Sequence, residues 1–120
     1  MATRTPWGMS DYSERLAPGI MWYGTPSHGG AHVSPTLNAL IHDAWRREDG
    51  WYEEDCDWAI VAFHFPKAFL KDYQQAIETL RNWHPIAYMK VTGTELKPEE
   101  SYMLREESKL LRDWMKGEGK

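Results

Sequence analysis

Cys56 lies in the run Gly50-Trp51-Tyr52-Glu53-Glu54-Asp55-Cys56-Asp57-Trp58, the one cysteine of the chain set among four carboxylates. A thiol at a helix N-terminus becomes a nucleophile when its pKa is lowered. Here Glu53, Glu54, Asp55 and Asp57 all oppose a thiolate, and no base lies near in sequence, so Cys56 reads first as a small buried residue. A catalytic Cys56 is the alternative, and a His28 or His32 brought alongside by folding would favour it. The carboxylates support three readings. At a helix start, one acid caps and the others complement the dipole. In an extended segment, Glu53, Asp55 and Asp57 share a face and offer oxygen ligands to a hard cation. As an exposed acidic edge beside Trp51 and Tyr52, the residues Glu53, Glu54, Asp55 and Asp57 dock on a basic partner surface.

The second chemical feature is Ser27-His28-Gly29-Gly30. His28 and His32 have the i, i+4 spacing of metal ligands on a helix, but two intervening glycines argue against a helix there. The turn instead offers backbone N–H groups to an anion, with His28 as acid or base, or it is a plain connection. His42, His64 and His84 read as helix-surface or partly buried residues. The chain contains no Walker loop, Rossmann fingerprint or Gly-x-Ser-x-Gly elbow.

The elements that position these residues follow from pattern. Residues 1–19 carry loop chemistry, with Trp7 pinning the arm to the body. Ile20 to Thr25 and Ala31 to Ser34 form a hairpin whose connection uses Gly29 and Gly30 for positive φ. Ser34-Pro35 opens a helix, and Leu37, Leu40, Ile41, Ala44 and Trp45 make its apolar stripe up to the Asp49-Gly50 stop. Trp58 to Phe65 is a buried run of either type, with helix favoured by Ala59, Ala62 and the preceding acids. Pro66 ends it and opens a helix over 67–83, in which Phe69, Tyr73, Ile77, Leu80 and Trp83 align. Ile86 to Val91 alternates weakly, as a third strand would. Pro98 to Lys116 is a last helix with acids in its first turn and a base in its last.

At 120 residues the chain fits one domain, 1–120, able to bury roughly two-thirds of its unfolded surface. Seven tryptophans, six tyrosines and three phenylalanines exceed what one core of this size needs, so some aromatic area is left for a partner. Residues 51–66 hold four acids and no base, which matches the net charge of −4. With a pI near 5.7 and no basic cluster, phosphate-driven nucleic-acid binding is not expected. One cysteine suits a reducing cytoplasm. No signal peptide is evident, and the longest apolar run is far shorter than the ~20 residues of a membrane span.

Three stretches in order carry a resemblance: Thr5-Pro6-Trp7-Gly8, then Ser27-His28-Gly29-Gly30 with Ser34-Pro35, then Gly50 to Ala59. Over residues 5–66 the chain resembles a family of small uncharacterised proteins and domains, classed as a domain of unknown function, from proteobacterial plasmids and phages. Residues 67–120 form the helical C-terminal part outside that resemblance. It implies a mobile-element setting and no mechanism.

The expected fold is α+β, with a small antiparallel sheet packed on three to four helices. The expected function is that of a small cytoplasmic accessory protein of a phage or plasmid that binds a host or element-encoded protein and inhibits host defence. No cofactor or membrane is implied, and the oligomeric state is open. Two alternatives stand beside it: a hydrolase or transferase using His28 with the Glu53 to Asp57 carboxylates, Glu54 above all, or with the Cys56 thiol, and a structural homo-oligomer.

Overall fold

A computed structural model describes residues 2–118. The fold is α+β, with a two-stranded and a four-stranded antiparallel sheet and five α-helices. The chain divides into two compact units, residues 1–77 and 78–120.

The first unit holds both sheets. β1 (Arg4–Thr5) and β2 (Gly8–Met9) form a minimal ribbon. β3 (Tyr12–Ala17), β4 (Ile20–Gly24), β5 (Gly29–Val33) and β6 (Trp51–Glu53) follow in sheet order β3-β4-β5-β6. The expected hairpin is β4–β5, but strand structure also occupies the arm read as loop. That arm escaped notice because Tyr12 to Arg15 are all exposed, as on an edge strand, and show no apolar alternation.

The hairpin turn is closed by side-chain chemistry. The Thr25 amide donates to His28 O (2.7 Å), the Thr25 hydroxyl donates to the same oxygen (2.7 Å), and the His28 amide donates back to Thr25 Oγ1 (3.1 Å). Gly29 and Gly30 are therefore not turn residues. They are strand residues without positive φ, paired with Gly24 and Tyr23 on one side, and Gly30 pairs with Glu53 on the other. Their backbone is committed to the sheet, so of the two readings of this turn the plain connection stands and the anion nest does not form. Gly30 is needed for a different reason: an added Cβ would collide with Trp7 Cη2 and lie 2.5 Å from Tyr52 O. The arm is thus pinned by Trp7, as its composition suggests, with the indole lying against the bare backbone of β5.

Register assigns the faces. Ile20, Trp22, Ala31, Val33 and Tyr52 share one face; Met21, Tyr23, Gly30, His32, Trp51 and Glu53 share the other. On the first face Ile20, Ala31, Val33 and Tyr52 are buried, and α2 (Trp58–His64), with Ala59 to Ala62 fully enclosed, packs on β5 and β6. The 58–65 run is thus a helix, ended by Phe65 at φ −129° and Pro66.

Two segments differ from expectation in the connections. The helix opened by Ser34-Pro35 is α1 (Pro35–Asn38), one turn only, with Ser34 Oγ accepting from the Leu37 amide. Ile41 and Trp45 are buried as the stripe requires, but Leu40 is 66% exposed. A non-local network explains the early stop. Asn38 is buried, its Nδ2 donates to Arg47 O (2.8 Å), and its Oδ1 accepts from the Tyr52 hydroxyl (2.6 Å). Those bonds draw residues 39–50 back over β6 instead of along a helix axis. The second difference follows Pro66. The chain makes a 3-10 turn, Pro66–Phe69, before α3 (Tyr73–Trp83), so the expected helix over 67–83 is broken near its start.

In the second unit, Ile86 to Val91 is not a strand. It belongs to α4 (Pro85–Thr92), with proline at the first helical position and Gly93 at φ 75° closing the C-terminus, its amide donating to Met89 O (2.9 Å). Weak alternation loses here to two strong punctuation residues. A 3-10 turn, Pro98–Glu100, precedes α5 (Tyr102–Glu118), and Leu110, Leu111, Trp114 and Met115 of α5 are all exposed. No helix of the described residues is long and apolar enough to cross a membrane.

Candidate functional site

The β5–β6 register, Gly30 opposite Glu53, brings the two chemical features together. The Glu54 amide donates to Gly29 O (2.9 Å), which extends the pairing one residue beyond β6 and turns the acidic run toward His28. His28 Nδ1 lies 2.9 Å from Glu54 Oε1, and its Nε2 lies 3.9 Å from Glu53 Oε2. The imidazole is therefore flanked by a carboxylate at each nitrogen.

Glu53 has a structural duty in addition. Its Oε1 accepts from the Cys56 and Asp57 amides (2.7 and 2.9 Å), and its Oε2 accepts from the Asp55 amide (2.7 Å). A strand residue thus caps the turn that leads into α2, in place of Asp57, which stands at the N-cap and makes no side-chain cap. The acids do precede a helix start, but none caps α2 itself: Glu53 holds the amides of the turn before it, and no acid lies in the first turn of the helix. The extended-segment reading does not hold: residues 54–57 turn instead of running on from the strand. Asp57 is directed to Arg47, 3.8 Å away and distant in sequence. One ligand atom from each of His28, Glu53 and Asp55 falls within 4.8 Å of the others. His28 takes the place that extension would have given Asp57.

Cys56 is partly exposed and reduced. Its thiol is pushed above the ordinary range by burial first, then by Glu53, Asp57 and Asp55. The charge argument from sequence therefore stands in three dimensions, and a thiolate at Cys56 is disfavoured.

The surface beside the acids is aromatic. Trp7 meets His28 and Trp51 edge-on, each with ring centroids 5.7 Å apart. Trp51 in turn packs on Tyr23 (5.5 Å) and His32 (4.5 Å). All five rings are partly exposed. Burial lowers the His32 pKa, with Asp49 opposing the shift, so its ring in this cluster is neutral near pH 7. Tyr52 does not belong to this surface. It is fully buried on the opposite face, its hydroxyl donating to Asn38 and accepting from the Arg47 amide (3.0 Å). That corrects its assignment as a partner-binding residue, and the reason is strand parity: Trp51 and Glu53 point outward, so Tyr52 points in.

A separate groove lies elsewhere in the first unit. It has a volume of ≈ 660 Å³ and runs between the inner face of β3–β4 and the segment after α2, with Tyr12, Trp22, Trp58, Phe69 and Leu70 among its walls and Glu54 at its rim. His28 does not line it.

Compared with known families, residues 1–111 match the model described as Domain of unknown function (DUF7007). The chain belongs to this family. The DUF7007 match extends well past the 5–66 stretch on which the resemblance was read, and takes in the helices of residues 67–111. No curated protein matches the chain, and no solved structure does.

Sequence reasoning identified Trp51, His28 and the acids by type, and it missed Tyr23 and His32 as their neighbours. The signal that finds them is parity within the hairpin, since Tyr23 lies opposite Gly30 and Met21 opposite His32.

Proposed function

We propose that this DUF7007 domain is a protein-binding module that engages a basic surface of its partner through the outer face of β5–β6 and the adjoining turn. What supports this most is the juxtaposition of partly exposed Trp7, Trp51 and Tyr23 with Glu53, Glu54 and Asp55 along one border. Stacked rings supply rigid contact area at low entropic cost, and a one-sign border steers and orients a cationic partner. Arginine and lysine of the partner also gain from the ring faces themselves. The mobile-element setting implied by the resemblance makes a host or element-encoded protein the partner class, with inhibition of host defence as one outcome of such binding.

An acid–base reading has the His28–Glu54 contact in its favour. Against it, His28 lies off the groove and the thiol of Cys56 is held protonated. The test is affinity capture from a bacterial host lysate with the tagged chain and with the Glu54→Lys, Asp55→Lys double variant, both side chains being exposed. A protein retained by the first and lost by the second is the expected result. Retention unchanged by charge reversal would remove this face from the function. Sedimentation of the purified chain separates capture of a partner from self-association.

A further inference from the structure

We propose that His28, Glu53 and Asp55 bind a divalent transition-metal ion of the zinc type, with Glu54 as the outer group that orients the imidazole. The proposal does not rest on the protein-binding reading.

Three observations carry it. First, Glu54 Oε1 stands 2.9 Å from His28 Nδ1, on the side of the ring away from the Nε2 that would bind the ion. A carboxylate behind the imidazole is the arrangement that holds metal-binding histidines in other proteins, where it sets both ring orientation and basicity. Second, that Nε2 faces Glu53 Oε2 at 3.9 Å. A nitrogen and a carboxylate oxygen thus converge on one point that a cation can share. Third, the accepting capacity of Glu53 is unevenly used. Oε1 takes two amides, whereas Oε2 takes one, from Asp55, and the oxygen with spare capacity is the one turned to His28. A carboxylate has room for about four donors in all, so a metal bond at Oε2 leaves every amide bond of the turn intact.

Asp55 completes the set, with one ligand atom from each of the three residues within 4.8 Å of the others. Donor atoms on a tetrahedral ion with bonds of about 2.1 Å stand about 3.4 Å apart. Contraction from 3.9 and at most 4.8 Å needs side-chain movements on the order of 1 Å. Asp55 is exposed and His28 is partly so, which leaves room for them. One imidazole with two carboxylates selects a borderline ion such as Zn²⁺ over Mg²⁺ or Ca²⁺, which favour all-oxygen shells. Three protein ligands leave a fourth position for water or for a group of a bound molecule.

The full chain, freed of metal with a chelator, is titrated with ZnCl₂ by calorimetry at pH 7.5, and far-UV circular dichroism checks each variant's fold. The expected result is one saturable equivalent of Zn²⁺. His28→Gln and Asp55→Asn each weaken it tenfold or more. Glu54→Gln weakens it about tenfold, as loss of an orienting carboxylate does, and shifts the pH dependence of binding, which a merely structural role would not. Should His28→Gln not fold, Asp55→Asn decides, because its side chain is exposed. Absence of a stoichiometric Zn²⁺ isotherm in the wild-type chain overturns the proposal. So does an isotherm unchanged in Asp55→Asn and Glu54→Gln, because the ion is then bound by other groups.

Discussion

Replacing Gly30 by alanine adds one methyl group at the tightest point of the first unit. Its Cβ would stand 2.5 Å from Tyr52 O, 3.0 Å from Glu53 Cα and in collision with Trp7 Cη2, whereas ordinary contact begins at 3.4 Å. The gap to Tyr52 O must therefore open by about 0.9 Å. That oxygen belongs to the β6 backbone, so no rotamer change relieves the clash; either the β5–β6 pairing widens or β5 buckles. Overpacking of this kind costs about 1–3 kcal/mol, and a backbone obstacle places the cost at the upper end. For 120 residues the unfolding entropy is about 0.25 kcal/mol per kelvin, so about 2–3 kcal/mol lowers Tm by roughly 8–12 °C. Thermal unfolding followed by tryptophan fluorescence measures this, since Trp7 and Trp51 adjoin the lesion. The Trp7→Ala, Gly30→Ala double variant separates the two obstacles. Removing the indole should recover part of the loss but not all, because Tyr52 O remains. An unchanged Tm in Gly30→Ala, or full recovery in the double variant, would refute the reasoning that the indole and the β6 carbonyl jointly close this position.

Two other perturbations follow from the same unit. Tyr52→Phe removes a hydroxyl that donates to Asn38 and accepts from the Arg47 amide; leaving the buried Asn38 oxygen without this donor should cost about 1–3 kcal/mol, read as a lower denaturant midpoint at unchanged slope. Stability should also fall in mild acid. His64 accepts from the Trp45 indole (2.9 Å), and its pKa is lowered by burial first and by His42 second. Protonation therefore favours the unfolded chain: the contribution of neutral His64 is complete above the unfolded value of about 6.5 and is lost as pH falls from there through the lower folded value. His32, also lowered by burial, adds to the same slope. Denaturant midpoints between pH 7.5 and 5 test this, and His64→Gln should flatten the slope; an equally steep slope in that variant would exclude His64 as its source.

What the sequence disclosed and what it hid divide along the range of the interactions involved. The β4–β5 hairpin and α2 rest on local signals, namely strand composition bounded by punctuation and a run of helix formers closed by proline; α5 begins only at Tyr102, and the acids expected in its first turn, Glu99 and Glu100, lie in the 3-10 turn before it. α1 failed as a long helix because Asn38 is bound to Tyr52 and Arg47, and nothing near Asn38 in sequence announces that. β6 is only three residues long, too short for a period. In residues 86–91 a weak alternation is overridden by Pro85 at the helix start and Gly93 at its end. At the candidate site the residue types were visible, but the meeting of His28 with Glu53 and Glu54 depends on cross-strand register, which a single sequence does not state.

The turn from Glu53 to Asp57 is polar, partly exposed and loop-like, the sort of place where a tag or a cut is ordinarily introduced. Its amides say otherwise. Those of Asp55, Cys56 and Asp57 are held by the Glu53 side chain, and that of Glu54 by Gly29. One carboxylate holds the turn between β6 and α2 and faces His28. An acidic, polar stretch is thus held as firmly as a strand, and handles for purification or labelling belong at other places on the chain.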